Sequence, residues 1–250
     1  MTYGDSYDLS KEITLNTNGT IKYSSSNSKV VSINSKTGKM TAKDAGKAVI
    51  TVSTAKTAIS TAATKEITVT VLPKVTVKNK GVQNLVDGKS YKLSSYISIS
   101  GKNKTTFSSS NKSIAKVSSD GTITAVKTGK ATITVTVTGS GSSKNIVKKI
   151  TVYVAPKKQK VAKVTASSKA LTVKLNKDTK ASGYQVMVAT DKKFTANKKS
   201  VDIKSNKTVS TKVKGLKAKK QYYVRVRSYK TISGKKYYGT WSTVVKMKTK

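Results

Sequence analysis

The residues best equipped for chemistry lie toward the C-terminal end of this 250-residue chain. In the run Tyr222-Tyr223-Val224-Arg225-Val226-Arg227-Ser228-Tyr229, alternation turns Tyr222, Val224 and Val226 of a strand inward and Tyr223, Arg225, Arg227 and Tyr229 outward. Trp241 on a neighbouring strand and Tyr237-Tyr238 in the preceding hairpin complete an aromatic and cationic cluster. The chemistry open to such a face is noncovalent. Aromatic rings can stack on sugar rings or bases while Arg and Lys hold acidic groups. The same residues can instead stack on each other as a cation–π ladder, at about 0.5–2 kcal/mol per pair, and the ladder is the preferred reading. The candidate ligand-contact face is therefore Tyr223, Arg225, Arg227, Tyr229, Tyr237, Tyr238 and Trp241.

Bond-making chemistry has little to work with. There is no histidine and no cysteine, hence no disulfide, no ordinary metal cage and no general base near neutral pH. Ser-x-x-Lys occurs at Ser26/Lys29 and Ser109/Lys112, but both fall in predicted turns, not on the helix that an acyl-enzyme serine of that motif occupies. Asp5, Asp8 and Glu12 are too widely spaced for a calcium loop and lack its glycine. Glu66 or Asp8 could assist a Lys–Asn isopeptide link, yet nothing selects a pair. The expectation is a protein that is not an enzyme, with no catalytic residue, no metal and no cofactor.

The formal charge is +40, and it climbs along the chain: +4 over residues 1–72, +12 over 73–156 and +24 over 157–250. Such a field attracts polyanions of any kind, and lysine also solvates exposed strands and blunts their edges. Of the 50 cations only Arg225 and Arg227 are arginine, so the bidentate base reading of specific nucleic-acid recognition is not expected. No apolar run is long enough to cross a membrane as a helix, and no signal peptide opens the chain.

The elements that must carry these residues are strands. Residues 23–52 return as residues 107–135: Tyr23-Ser24-Ser25-Ser26-Asn27 recurs after 84 residues and Ala45-Gly46-Lys47-Ala48 after 83. The only prolines, Pro73 and Pro156, stand 83 residues apart, each after an alternating strand, and mark the joints. β-Branched runs such as Ala131 to Val137 are punctuated by turns at Asn18-Gly19, Thr37-Gly38, Asp120-Gly121 and Thr128-Gly129, and residues 139–143 read as a hairpin loop. One buried face per strand and no helical periodicity predict sandwiches of two antiparallel sheets. The fold class is all-β, three tandem β-sandwiches in an elongated array, with modules at 1–72, 73–156 and 157–250.

The repeated segments resemble the bacterial Ig-like group 2 domains of intimin- and invasin-type surface proteins. The resemblance rests on Ser25-Ser26-Asn27 and Ser109-Ser110-Asn111, on Gly38 to Ala42 and Gly121 to Ala125, and on the Gly-Lys-Ala run before the long strand. The second repeat's opening strand, Val75-Thr76-Val77, has its counterpart before Met1, so the first module is expected to leave one sheet edge open. A fragment of a longer protein is the favoured explanation, completion by a neighbouring chain the other. Residues 157–250 resemble a fibronectin type III domain through Gly183-Tyr184-Gln185-Val186, Gly215-Leu216-Lys217 leading into Tyr222, and Gly239-Thr240-Trp241-Ser242 at the start of the last strand. That resemblance makes Tyr222 a corner tyrosine bonded to nearby backbone and puts Leu175 in place of the tryptophan usual on the second strand.

Together these imply a non-catalytic extracellular segment of a bacterial surface or wall-associated protein. It would act as stalk, spacer and adhesion module with weak affinity for anionic cell-wall or host polysaccharide, as a monomeric fragment with no specific nucleic acid and no membrane insertion. The alternatives are an accessory carbohydrate-binding region of a secreted polysaccharide or cell-wall hydrolase, and a phage virion surface domain.

Overall fold

The computed structural model describes residues 1–14, 19–139 and 145–250. The strands of the first two-thirds are Ser6–Asp8 (β1), Ile21–Ser25 (β2), Val31–Ile33 (β3), Lys39–Ala42 (β4), Gly46–Thr54 (β5), Ala63–Val71 (β6), Lys74–Val77 (β7) and Val82–Val86 (β8). They continue with Ser90–Lys92 (β9), Ile97–Ser100 (β10), Asn103–Ser109 (β11), Ala115–Val117 (β12), Thr122–Ala125 (β13), Gly129–Gly139 (β14) and Asn145–Ala155 (β15). Then come Val161–Ser167 (β16), Ala170–Leu175 (β17), Gly183–Ala189 (β18), Lys199–Ile203 (β19), Ser210–Val213 (β20), Gln221–Ile232 (β21), Lys235–Tyr238 (β22) and Val245–Lys248 (β23). Three short 3-10 turns, and no α-helix, accompany them among the described residues. Apart from Gly139 and Gly19, the loop at 139–143 and the Asn18-Gly19 turn lie outside the described residues.

By proximity the chain divides into two compact units, residues 1–81, 93–108 and 134–150, and residues 82–92, 109–133 and 151–250. In the first unit, sheet β1–β4–β3 and sheet β2–β5–β6 enclose a core of Leu9, Tyr23, Val31, Met40, Ile50 and Val71 among others. The period-2 pattern of β5 explains it: Ala48, Ile50 and Val52 point in while Lys47 points out. β7 pairs with β10, setting Val77 opposite Ile97. Among the described residues β6 ends its sheet, and at the end of its outer edge Thr2 bridges Leu72 in parallel, with Leu72 N donating to Met1 O at 2.9 Å and Tyr3 N to Leu72 O at 2.8 Å.

The strands β9, β12 and β13 form a three-stranded sheet in the order β12–β13–β9, and the order β11–β14–β15–β8 makes a four-stranded one. Here one expectation is corrected: β8 runs parallel to β15, not antiparallel. After β7 the chain turns through Asn79–Gly81, with Asn79 and Gly81 at φ 52° and 71°, and this left-handed turn redirects it alongside β15.

Residues 161–248 form a sandwich of β16–β17–β20 and β19–β18–β21–β22, with β23 also pairing β21. Leu171, Val173, Leu175, Tyr184, Val186, Tyr222, Val224 and Val226 fill its core. The last strand begins at Val245, later than the sequence pattern suggests, because Ser242 replaces strand pairing with its side chain. Its N–H donates to Val226 O at 2.8 Å while its Oγ accepts from Val226 N at 3.0 Å.

Candidate aromatic and cationic site

β21 positions the cluster. It is the sheet's most extensively paired strand, with β18 on one side and β22 and β23 along the other, so its side chains are held at fixed spacing. Alternation brings Arg225 opposite Met187 and Arg227 opposite Gln185 of β18. Arg225 Nη2 lies 3.2 Å from Met187 Sδ, and Arg227 Nε donates to Gln185 Oε1 at 2.9 Å. These contacts lay both guanidiniums flat along the sheet. The irregular Ser242 pairing then places Trp241 between them.

The result is a continuous stack. The Arg225 guanidinium carbon lies 3.9 Å from the Phe194 ring centroid and 4.3 Å from that of Trp241, and Arg227 lies 4.2 Å from Trp241 and 3.8 Å from Tyr238. Ring and cation alternate as Phe194, Arg225, Trp241, Arg227, Tyr238. Burial lowers the pKa of both arginines from the ordinary guanidinium range, and Arg225 adds to the lowering at Arg227. Arg225 Nε is buried without an acceptor among the described residues, so ring faces supply what hydrogen bonds do not.

Three of the residues read as a ligand face lie outside this alternating stack, although Tyr229 meets its Tyr238 end edge-on at 5.7 Å. Tyr229 is on the expected side of β21 but is buried: it pairs with Gly183, whose missing side chain lets the ring lie across β18, and its hydroxyl donates to Ile203 O at 3.2 Å. Tyr237 points to the opposite face of β22 from Tyr238 and stacks on Tyr153 at 4.2 Å and 13° between planes. Tyr223 meets Lys246, whose Nζ is 5.8 Å from its ring. Phe194 was not anticipated. It sits in the loop after β18 at φ 62°, in a turn held by the Asp191 carboxylate accepting from Thr195 N and Ala196 N. Those bonds lower the Asp191 pKa, Ala196's most of all. The only sequence signal was one aromatic in a lysine-rich loop. Tyr222 is buried, and its hydroxyl accepts from Lys217 N at 3.0 Å.

The repeated Ser-Ser-Asn elements have structural tasks. Ser26 Oγ accepts from Val49 N at 2.8 Å, and Asn27 Oδ1 accepts from Lys29 N at 3.2 Å. Eighty-four residues on, Ser110 Oγ accepts from Thr132 N at 2.9 Å and Asn111 Oδ1 from Ser113 N at 3.1 Å. Each element closes a turn against the long strand, and the serines of the Ser-x-x-Lys matches are occupied in doing so: Ser26 by Val49 N, and Ser109 by Asn111 N and by its own bond to Ala115 O. Asp5 accepts from Thr2 N and Asp8 from Ser10 N, so this acidic cluster caps local backbone. Among the described residues no three acidic groups gather as metal ligands, and no helix is long and apolar enough to cross a membrane.

In each repeat the loop before the long strand also bonds to a later part of the chain. Asp44 Oδ1 accepts from Ala45 N at 2.8 Å and from Lys102 N at 2.5 Å, and a Cβ placed on Gly101 would lie 3.2 Å from Ala45 Cβ. At the position equivalent to Ala45, Thr128 Oγ1 donates to Lys180 O at 2.9 Å. Lys180 Nζ reaches the buried carboxylate of Asp87 at 3.1 Å, and Gly239 packs so tightly on Pro156 that an added Cβ would lie 2.4 Å from its carbonyl oxygen.

Comparison with known proteins accords with this geometry. The family profile of the bacterial Ig-like domain (group 2) matches residues 2–64 and again 68–148. No curated protein matches the chain. Among solved structures it is similar to domains A168-A170 from titin, at 14% identity and TM-score 0.35, covering 98% of this chain and 94% of that one. It is also similar to the FN1-FN3 domains of chicken CNTN1, at 16% identity and TM-score 0.33 with 95% and 91% covered. Domains 4 and 5 of the S-layer protein SbsC match at 20% identity and TM-score 0.25, over 54% of this chain and 70% of that one. With its profile matched twice over more than half the chain, the protein belongs to the bacterial Ig-like domain (group 2) family.

Proposed function

We propose that the chain is a non-catalytic, semi-rigid spacer and adhesion segment of a bacterial surface or wall-associated protein, built from modules 1–72, 73–156 and 157–250. One observation carries the reading: neighbouring positions of the same loop, Asp44 in one repeat and Thr128 (equivalent to Ala45) in the next, hydrogen-bond to the chain beyond the following proline. A short proline joint limits bending, and a loop latched across it limits bending further. The cation–π stack supports the same reading, since both faces of each guanidinium are already covered by rings of the protein. Its role is to hold a sheet face. Anionic wall or host polymers are the fitting partners for a charge of +40, most of it in residues 157–250, and their attraction is through lysine and falls with salt.

The test uses the absence of cysteine. Pairs of cysteines introduced on exposed strands on either side of Pro73 take spin labels without competing thiols. A narrow distance distribution that broadens with Asp44→Ala is the expected result. A wild-type distribution as broad as that of a flexible glycine-serine joint overturns the spacer reading. Binding to teichoic acid that vanishes by physiological salt supports charge attraction alone, whereas salt-resistant binding to one neutral glycan refutes the structural role of the stack.

A further inference from the structure

Residues 157–250 carry 27 basic and three acidic side chains. The three carboxylates are engaged: Asp178 accepts from Lys180 N at 3.0 Å, Asp202 from Lys236 Nζ at 2.6 Å, and Asp191 from Thr195 N and Ala196 N of its own loop. Most lysines of this sandwich therefore find no carboxylate within it, and four of them line a single cleft. It lies between the loop after β18 and the loop before β21, has a volume of about 280 Å³, and is lined by Lys198, Lys199, Lys217 and Lys220 with Thr190 and Asn197, and by no carboxylate. Its walls are fixed. Lys217 N donates to the buried Tyr222 hydroxyl at 3.0 Å, while Thr249 Oγ1 donates to Lys217 O at 2.6 Å and accepts from Lys220 N at 3.0 Å, so both ends of segment 217–220 are pinned. On the other wall Asn197 Nδ2 donates to Thr190 Oγ1 at 3.2 Å. Lys199 joins the walls: its Nζ donates to Gly215 O at 2.6 Å and Lys214 O at 3.3 Å, which uses two of its three donors. Gly215 admits it, with a left-handed φ of 69° and no side chain where a Cβ would lie 2.8 Å from that ammonium.

We propose that this cleft is where an anionic polymer engages the chain, by seating one of its oxyanion groups, phosphodiester or carboxylate, among the four ammoniums. Like charges gathered around one cavity repel, and an oxyanion placed between them turns that repulsion into attraction. Lysine suits the task, because a point charge on a flexible stem meets either oxyanion without demanding one planar geometry. Lys199 is the anchor, held across the cleft by two carbonyl oxygens with its third N–H left for the anion. The inference rests on the anionic-polymer part of the function proposed above, to which it gives a place and a ligand group, and is independent of the spacer part.

The experiment titrates the full chain, at low ionic strength, into a labelled glycerol-phosphate oligomer and a labelled oligogalacturonate and follows anisotropy. Saturable binding is expected, and the tighter of the two oligomers tells phosphodiester from carboxylate as the source of the oxyanion. Lys199→Gln combined with Lys217→Gln should weaken that binding roughly tenfold or more, through lost charge-assisted bonds. Lys163→Gln combined with Lys174→Gln removes the same charge from exposed residues paired across β16 and β17, and should weaken it less than about twofold because distant charges are screened. Gly215→Ala removes no charge but displaces the Lys199 ammonium, and should also weaken binding roughly tenfold while the Trp241 emission of the folded sandwich is kept. Equal losses in the two lysine pairs would overturn the cleft and leave general charge attraction standing, whereas a parent chain that binds neither oligomer would overturn both. A DNA oligonucleotide of equal charge that binds the parent more tightly than either oligomer, and loses its affinity in the Lys199 and Lys217 variant, would assign the cleft to nucleic acid and overturn the proposal as well.

Discussion

Replacing Arg227 by alanine tests whether the aromatic and cationic cluster is a structural stack. The change removes two cation–π contacts, at 4.2 Å to Trp241 and 3.8 Å to Tyr238, and the hydrogen bond to Gln185 at 2.9 Å. At roughly 0.5–1 kcal/mol per partly exposed ring contact and about 1 kcal/mol for the hydrogen bond, the loss comes to about 2–3 kcal/mol. For a unit under about 100 residues each kcal/mol moves Tm by roughly 4–8 °C, so a fall of roughly 10–20 °C is expected. Trp241 is the chain's only tryptophan and sits inside the stack, so its emission reports unfolding of this sandwich without contributions from elsewhere. Arg227→Lys keeps the charge but not the planar fork and should fall between. Arg225→Ala combined with Arg227→Ala should cost less or more than the sum of the two, since both act through one indole. An Arg227→Ala protein melting within about 2 °C of the parent, or strict additivity in the double variant, would refute the reasoning.

Gly183→Ala should destabilise the same sandwich by about 1–3 kcal/mol or more, measured by urea unfolding, because the new Cβ would sit 2.1 Å from the Ile203 carbonyl oxygen and 2.6 Å from the Tyr229 hydroxyl. Lys180→Met leaves the Asp87 carboxylate, with only 2% of its side chain exposed, without its cation, and should lower the thermal midpoint although the lysine itself is half in solvent. In acid, Asp120 matters: bonds from Lys92 above all, then Ser118 and Thr122, hold its pKa far below the ordinary 3.8. Its contribution is therefore complete above 3.8 and lost as pH falls toward the depressed value, so Asp120→Asn should flatten the loss of stability below that point in an acid titration followed by circular dichroism.

Much of this protein was legible in the chain itself. The 84- and 83-residue offsets announce repeated sandwiches, and alternation in β5, β17 and β21 names the buried residues, because a strand has only two faces and one must be apolar. The corner position of Tyr222 was implied by the fibronectin type III resemblance, and its partner Lys217 is only five residues away. Alternation assigns a side to a residue but not what covers that side. Tyr229 was placed on the correct face and is nonetheless buried, because Gly183, 46 positions earlier, leaves room for its ring. Tyr237 found Tyr153 and Arg225 found Phe194 by contacts between segments that share no local pattern. Likewise the parallel run of β8 depends on a left-handed turn at Asn79–Gly81, and the late start of β23 on a serine side chain entering the ladder. Short-range periodicity thus determined which way the apolar residues of each strand point; long-range packing alone decided which ring lies on which cation.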